Sequence, residues 1–261
     1  MKQENYSELK KQGYTIVRNL IDNDWLDRLK KSVDNAFLEH RQTQLKNNND
    51  IKTEGVALHV LLSNPIFIEF LKHLQEKNLF KFLEESYFDS KCIINSFSAL
   101  DNLPNQPNFS SIVHRDVKRY SGDFPIMVNC LLMVDDFTSE NGGTYLLPYS
   151  HLDKTKPSDE EFFEKAIQAT GKRGDMLIFN SNVWHSSAPN KTQDHRRAIP
   201  ITLSKSFMKQ LLDYPRAIGY DKMDEFDSEL QQLLGYHSRV PASLNEWYQP
   251  EDKRFYKKNQ D

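Results

Sequence analysis

From Lys91 to about residue 205 the chain is cut into short β-prone runs, and this segmentation restricts its possible folds more than any other feature. The runs are Cys92–Phe97, Ile126–Val134, Thr144–Leu147, Asp175–Phe179 and Ala198–Leu203. Turn signals separate them, notably Asn141-Gly142-Gly143 and Gly171-Lys172-Arg173-Gly174. Strands this short cannot hide an apolar face alone. They must pair and stack, which points to a β-sandwich or a jelly roll. The stretch from Asp159 to Thr170 interrupts the series and is expected to be a helical insertion on the outside.

The first 90 residues carry a different period. Tyr14-Thr15-Ile16-Val17 reads as a short strand. Asp22 then offers an N-cap, and Trp25, Leu29, Val33 and Phe37 recur every fourth residue with Leu26 beside them, forming one face of a helix. Gln42 to Asp50, with three consecutive asparagines, is expected to be a mobile loop. Helical pattern resumes from Ile66 to Phe88, with Phe67, Phe70, Leu71 and Leu74 as its apolar stripe. Beyond Phe207 a polar and aromatic tail, including Trp247 and Tyr248, is expected to pack as helix and loop over the sheet. A chain of 261 residues suits one elaborated domain. Its expected parts are a mainly helical segment over 1–90, a β core over 91–205 and a tail over 206–261.

Charge and composition narrow the partners. The net charge is −3, so no basic field exists to attract nucleic acid. No run of about 18 apolar residues occurs, and the polar start Met1-Lys2-Gln3-Glu4-Asn5 has no apolar core of a leader. A cytoplasmic protein without a membrane segment is therefore expected. Cys92 and Cys130 stand alone in apolar strand-like contexts and are expected to be reduced, buried side chains rather than a disulfide or zinc site.

Eight histidines are present. His40, His59, His73 and His237 have no useful neighbour and read as packing or surface residues. Two His-x-Asp tripeptides occur, His114-Arg115-Asp116 and His151-Leu152-Asp153, and chance produces such pairs often enough that each is weak alone. Their physical interest is that residues i and i+2 of an extended segment project to the same side, so an imidazole and a carboxylate can meet one metal. A further histidine would leave three positions open on octahedral iron, enough for a bidentate 2-oxo acid and dioxygen. His185, in Asn182-Val183-Trp184-His185 just past an apolar run, is the natural third ligand. Positions 114 and 185 are 71 apart, room for the hairpins that bring distant strands together. Positions 151 and 185 are only 34 apart, and much of that interval reads as helical and polar. His151 also follows the strand-exit turn Pro148-Tyr149-Ser150, so Asp153 reads as a loop cap and the first pair is preferred. A 2-oxo diacid needs its far carboxylate anchored, a task suited to arginine's planar fork. Arg196 lies 11 positions past His185 at the start of the next strand-like run, and Arg197 should face the opposite side.

Together these residues resemble the phytanoyl-CoA dioxygenase family of Fe(II)/2-oxoglutarate oxygenases. The matching pieces are His114-Arg115-Asp116, Glu140-Asn141-Gly142-Gly143-Thr144, Leu147-Pro148-Tyr149-Ser150-His151, Gly174-Asp175-Met176-Leu177-Ile178-Phe179, Trp184-His185-Ser186-Ser187 and Asn190-Lys191-Thr192-Gln193 leading to Arg196-Arg197-Ala198-Ile199. Gly13-Tyr14-Thr15-Ile16-Val17 and the helix after it resemble the family's opening, so the likeness spans about residues 8 to 205. It implies a mainly β fold with flanking helices and a double-stranded β-helix core, a cupin-like jelly roll. It also implies that His114, Asp116 and His185 hold iron, that Arg196 binds the C5 carboxylate of 2-oxoglutarate, and that Ser187 assists there. Leu131 falls where some members place an aromatic against the co-substrate, and the usual Pro-Gly-Ser-His turn appears with Tyr149 in place of glycine; both are departures. The implied activity is Fe(II)- and 2-oxoglutarate-dependent hydroxylation of a small molecule by O2, with release of succinate and CO2. Asp116 stands where halogenating members carry Ala or Gly, which favours oxidation without halide. The rival reading is a non-oxidative cupin-like sugar-binding or isomerase protein. Cupin sites generally use more histidines and lack an arginine eleven residues past the last ligand.

Overall fold

The computed structural model describes residues 1–49, 54–106, 111–258 and 260. The N-terminal part contains α1 (Gln3–Gln12), β1 (Tyr14–Val17), α2 (Asn23–Lys46), β2 (Val56–Ala57), α3 (Ile66–Glu76) and α4 (Leu79–Leu83). The strand region follows with β3 (Cys92–Phe97), β4 (Ala99–Asn102), β5 (Met127–Met133), β6 (Thr144–Leu146), α5 (Asp159–Lys165), β7 (Ile167–Gln168), β8 (Met176–Asn180), β9 (His185–Ser187) and β10 (Arg196–Lys205). Short helices α6 (Tyr214–Ile218), α7 (Ser228–Leu234) and α8 (Leu244–Trp247) make up the tail. Every strand pairing is antiparallel. A major sheet runs β1-β8-β5-β10-β4-β2, with β3 also paired to β10, and a minor sheet runs β7-β6-β9. This is the jelly-roll layout expected, with helices on the outer face of the larger sheet.

Alternation along the central strands divides the interior into two layers. Val128, Cys130, Leu132, Met176, Ile178, Ile199 and Ile201 face the helices and join one core with Leu29, Val33, Phe67, Phe70 and Leu74. The intervening residues Leu131, Met133, Leu177, Phe179 and Ala198 face the minor sheet and pack with Phe137, Leu146 and Val183. Each fully buried large side chain of these layers is worth about 1.5–3 kcal/mol over exposure, so the sheet cannot slip by one residue without exchanging the two layers.

The expected elements form with four differences. Asp22 caps α2 by accepting from Trp25 N–H at 3.1 Å, but α2 continues through Lys46 where a loop was expected from Gln42. Glutamine and lysine are good helix formers, and the helix stops only at Asn47 and at Asn48, whose φ is +55°. Asp50 lies outside the described residues. The expected Ile66–Phe88 helix breaks at Asn78, which takes a left-handed φ of +57° that asparagine tolerates. The expected helix over Asp159–Thr170 is helical only to Lys165, starting from a Ser158/Glu161 capping box. Ile167 and Gln168 instead pair with Leu146 and Tyr145, because an open edge of the minor sheet offers them hydrogen bonds. Finally, β10 is longer than its apolar run at both ends, since β5, β4 and β3 all bond to it. In the tail, Trp247 and Tyr248 are exposed, while Gln232 of α7 donates to the Cys92 carbonyl of β3. Both cysteines are free and buried. Among the described residues no helix is long and apolar enough to cross a membrane.

Candidate metal centre

His114 and His185 form an isolated antiparallel bridge that extends the minor sheet beside β9. Each N–H donates to the other's carbonyl at 3.0 Å. Residues that exchange both hydrogen bonds lie directly opposite one another and send their side chains to the same face. The two imidazoles accordingly sit with ring centroids 4.2 Å apart. Asp116, two residues past His114, shares that face. Its Oδ1 is 3.7 Å from His114 Nε2 and its Oδ2 is 3.6 Å from His185 Nε2.

The ring nitrogens are already assigned by their surroundings. His114 Nδ1 faces the Ile112 carbonyl at 2.7 Å, and His185 Nδ1 faces the Val183 carbonyl at 3.0 Å. A carbonyl only accepts, so each Nδ1 carries a proton and each Nε2 is the ring nitrogen turned towards the other two residues. His185 is buried and stacks edge-on against Phe179 at 4.8 Å. Burial pushes its pKa below 6.5, outweighing the opposing pull of the Asp116 carboxylate, so it stays neutral. One ligand atom from each of the three residues lies within 4.8 Å of the others. Two imidazoles and a carboxylate fit a divalent iron with positions left open.

Arg115, between the two first residues, points the other way. Its guanidinium lies over the Trp184 ring at 4.5 Å and donates to the carbonyls of Ser150 at 2.6 Å and of Asp153. It thereby fastens the His-x-Asp segment to the turn at 150–153. The rival pair on that turn does not converge. His151 is buried with Nε2 on the Lys10 carbonyl at 3.1 Å, whereas Asp153 is exposed and accepts from Thr155 N–H at 2.8 Å, the loop cap expected.

Arg196 and Arg197 leave β10 on opposite faces. Arg197 turns outward and pairs with Asp34 of α2 at 2.6 Å and with Asp135 at 3.1 Å. Arg196 turns inward, is 3% exposed, and covers the Phe137 ring at 4.3 Å. Its Nη2 reaches Ser187 Oγ at 3.3 Å, its Nε has no hydrogen-bond partner, and among the described residues no carboxylate makes an ion pair with it. Burial lowers its pKa to about 10 against support from Asp101 and Asp135, so it remains a cation at neutral pH. A buried cation without an ion-pair partner is costly, and a dicarboxylate such as 2-oxoglutarate would supply what it lacks. Ser187 shares the face of His185 on β9, which ties this arginine to the triad. Leu131 lies on the same inner face of β5, opposite Leu177 and Pro200.

One residue at the centre escaped the reading of the sequence. Asn129, 5% exposed in β5, donates to Asp116 Oδ2 at 2.6 Å. Its only signal was being the one polar residue in an apolar run.

The family model described as phytanoyl-CoA dioxygenase (PhyH) matches residues 9–198. The chain belongs to the phytanoyl-CoA dioxygenase family. An uncharacterized protein of Mycobacterium tuberculosis is 30% identical over 95% of this chain and 92% of its own length. The dioxygenase andF of Emericella variicolor is 23% identical over 87% of this chain and 81% of its own. Among solved structures, the non-heme α-ketoglutarate-dependent carbocyclase SnoK from nogalamycin biosynthesis superposes with a TM-score of 0.60 at 14% identity, covering 78% of this chain and 84% of that one. The epimerase SnoN, solved with Fe3+, α-ketoglutarate and nogalamycin RO, gives 0.58 at 14% identity over 77% and 82%. These solved structures bear on the fold of this phytanoyl-CoA dioxygenase family member, which is the jelly roll of 2-oxoglutarate-dependent enzymes, and the family is one of oxygenases.

Proposed function

We propose that this protein, acting as a single catalytic domain, is an Fe(II)- and 2-oxoglutarate-dependent dioxygenase that hydroxylates a small-molecule metabolite or biosynthetic intermediate. The observation that carries the reading is the pairing of two features. Three ligand atoms converge with both histidine Nδ1 atoms already engaged, and a buried arginine beside them makes no ion pair with a carboxylate among the described residues. His114, Asp116 and His185 would hold the iron, and Arg196 with Ser187 would hold the distal carboxylate of 2-oxoglutarate. Leu131 would give the co-substrate an apolar wall. Bound iron, 2-oxoglutarate and O2 supply the oxidising power, with succinate and CO2 as co-products. The chain's own task is positioning. The Ile112 and Val183 carbonyls hold a proton on Nδ1 of each ring and so leave Nε2 as the nitrogen for the metal, Phe179 and Leu177 exclude water, and Arg196 sets the orientation of the co-substrate. Solved relatives of this fold include a carbocyclase and an epimerase, so the fold itself does not dictate hydroxylation; the carboxylate at Asp116 favours it over halogenation.

The test is metal binding and succinate formation by purified protein. One equivalent of Fe(II) should bind, and slow substrate-independent turnover of 2-oxoglutarate should follow. His114→Ala and His185→Ala should each abolish both. Asp153→Ala should change neither, since that carboxylate only caps a turn. Full turnover in either histidine variant removes the ligand assignment. Screening metabolite pools for stimulated succinate release then identifies the substrate.

A further inference from the structure

β5 passes seven consecutive buried residues through the middle of the major sheet, and the only polar one is Asn129. Burying an amide is unfavourable unless its groups are bonded, and here they are. Nδ2 donates to Asp116 Oδ2 at 2.6 Å and to Ser181 Oγ at 3.1 Å, while Oδ1 accepts from Thr202 Oγ1 at 2.7 Å. Thr202 stands directly across from Asn129 in the β5–β10 pairing. The orientation of the amide is not arbitrary. A carboxylate can only accept, so the NH2 must face Asp116, and the threonine hydroxyl on the other side fills the acceptor. Thus two central strands, each anchored in the core, grip one oxygen of a side chain that is itself on a loop and about one-third exposed.

We propose that Asn129, held by Thr202, is a positioning residue that makes Asp116 a one-oxygen metal ligand. Among the described residues Oδ1 of Asp116 accepts no hydrogen bond, whereas Oδ2 carries the short contact from Asn129. The two oxygens lie equally near the histidines, Oδ1 at 3.7 Å from His114 Nε2 and Oδ2 at 3.6 Å from His185 Nε2, so the amide contact is what distinguishes them: Oδ1 would be the oxygen offered to the metal, and Oδ2 would stay with Asn129. The consequence concerns coordination number. A carboxylate binding through both oxygens would take one of the three open positions that a bidentate 2-oxo acid and dioxygen need. By holding Oδ2, Asn129 would keep that position open. This rests on the reading of Asp116 as a ligand.

The experiment uses Co(II) as the probe, added stepwise to metal-free protein, with affinity and the intensity of the visible d–d bands as readouts. Thermal unfolding of each metal-free variant is recorded alongside. Asn129→Ala should weaken Co(II) binding about 10–100-fold, the usual effect of losing a partner behind a metal ligand, and should alter the band intensity as coordination number changes. Thr202→Val should shift both in the same direction to a smaller extent, and Thr202→Ser should restore them. In an Asp116→Ala background Asn129→Ala should cause no further loss. Should Asn129→Ala fail to fold, the Thr202→Val and Thr202→Ser pair carries the test. Normal Co(II) affinity and spectrum in Asn129→Ala, with only a lower unfolding temperature, would overturn the proposal, as would a full additional loss in the double variant. If Asp116→Ala itself binds Co(II) like the parent protein, the ligand assignment fails instead.

Discussion

The neighbouring arginines Arg196 and Arg197 have the same chemistry and opposite surroundings. Arg197 sits in a network of Asp34, Asp135 and Lys30 that joins α2 to the sheet, with Lys30 at 2.9 Å from Asp135. Arg196 is deeper and has a serine hydroxyl and an aromatic face in place of carboxylates. Their replacements should therefore separate binding from stability. Arg196→Ala is expected to weaken 2-oxoglutarate binding by two decades or more, given a cost on the order of 3–5 kcal/mol for breaking a buried ion pair, with metal affinity retained. Arg197→Ala should leave 2-oxoglutarate affinity within a few-fold and lower unfolding free energy by about 1.5–3 kcal/mol, the worth of hydrogen bonds to charged groups. Calorimetric titration of the metal-loaded proteins and urea unfolding measure the two effects. Equal losses of affinity at both positions would mean that the two side chains do not divide the faces of β10.

Among the elements, the turn between β5 and β6 shows how the two sheets are held at the spacing the site requires. Asn102, at the end of β4, is fully buried and donates to the Ala188 carbonyl just past β9 at 2.9 Å. Gly142 packs against this contact with φ of +88°. A Cβ there would lie 2.0 Å from Asn102 Nδ2 and 2.5 Å from the Ala188 oxygen. Gly142→Ala must both adopt a left-handed backbone and push β4 and β9 apart. A loss of about 2 kcal/mol or more in urea unfolding is expected, together with weaker metal binding, because β9 carries His185. A variant as stable as the parent would show that the turn moves aside without moving the strands.

Across the whole molecule, several histidines are fully or partly withdrawn from solvent and resist protonation. His59, His151 and His237 each have their pKa pushed below 6.5, chiefly by burial. In the unfolded chain they take up protons near pH 6.5, so below that value the unfolded state binds more protons than the folded one. Their contribution is fully present above the unfolded pKa and is lost as pH falls towards the folded values. A second loss follows at lower pH. Burial raises the pKa of Asp135, but hydrogen bonds from Lys30 and Arg197 outweigh it and leave the carboxyl below 3.8. The unfolding midpoint of metal-free protein should therefore decline as pH drops from about 7.5 to about 5. A midpoint that is flat or rising over that interval would contradict the lowered pKa of these three residues.

What the sequence determined by itself was whatever depends on short covalent spacing. Period-2 alternation put His114 and Asp116 on one side and Arg196 and Arg197 on two, and Asp22 capped α2 through a contact three residues away. The turn dipeptides marked where strands stop, which was enough for a jelly roll. The tertiary structure decided whatever depends on partners far along the chain. The pairing of His114 with His185 brings the triad together, while His151 is buried against the Lys10 carbonyl of α1, a contact with no local signal. Ile167 and Gln168 became a strand because β6 had hydrogen bonds to offer, against their helical neighbours. Asn129 found its hydrogen-bond partners only when β10 set Thr202 opposite it and the His-x-Asp segment brought Asp116 to its amide. Backbone geometry is local and can be read from spacing, but satisfying a buried polar group needs a partner that only the folded chain supplies.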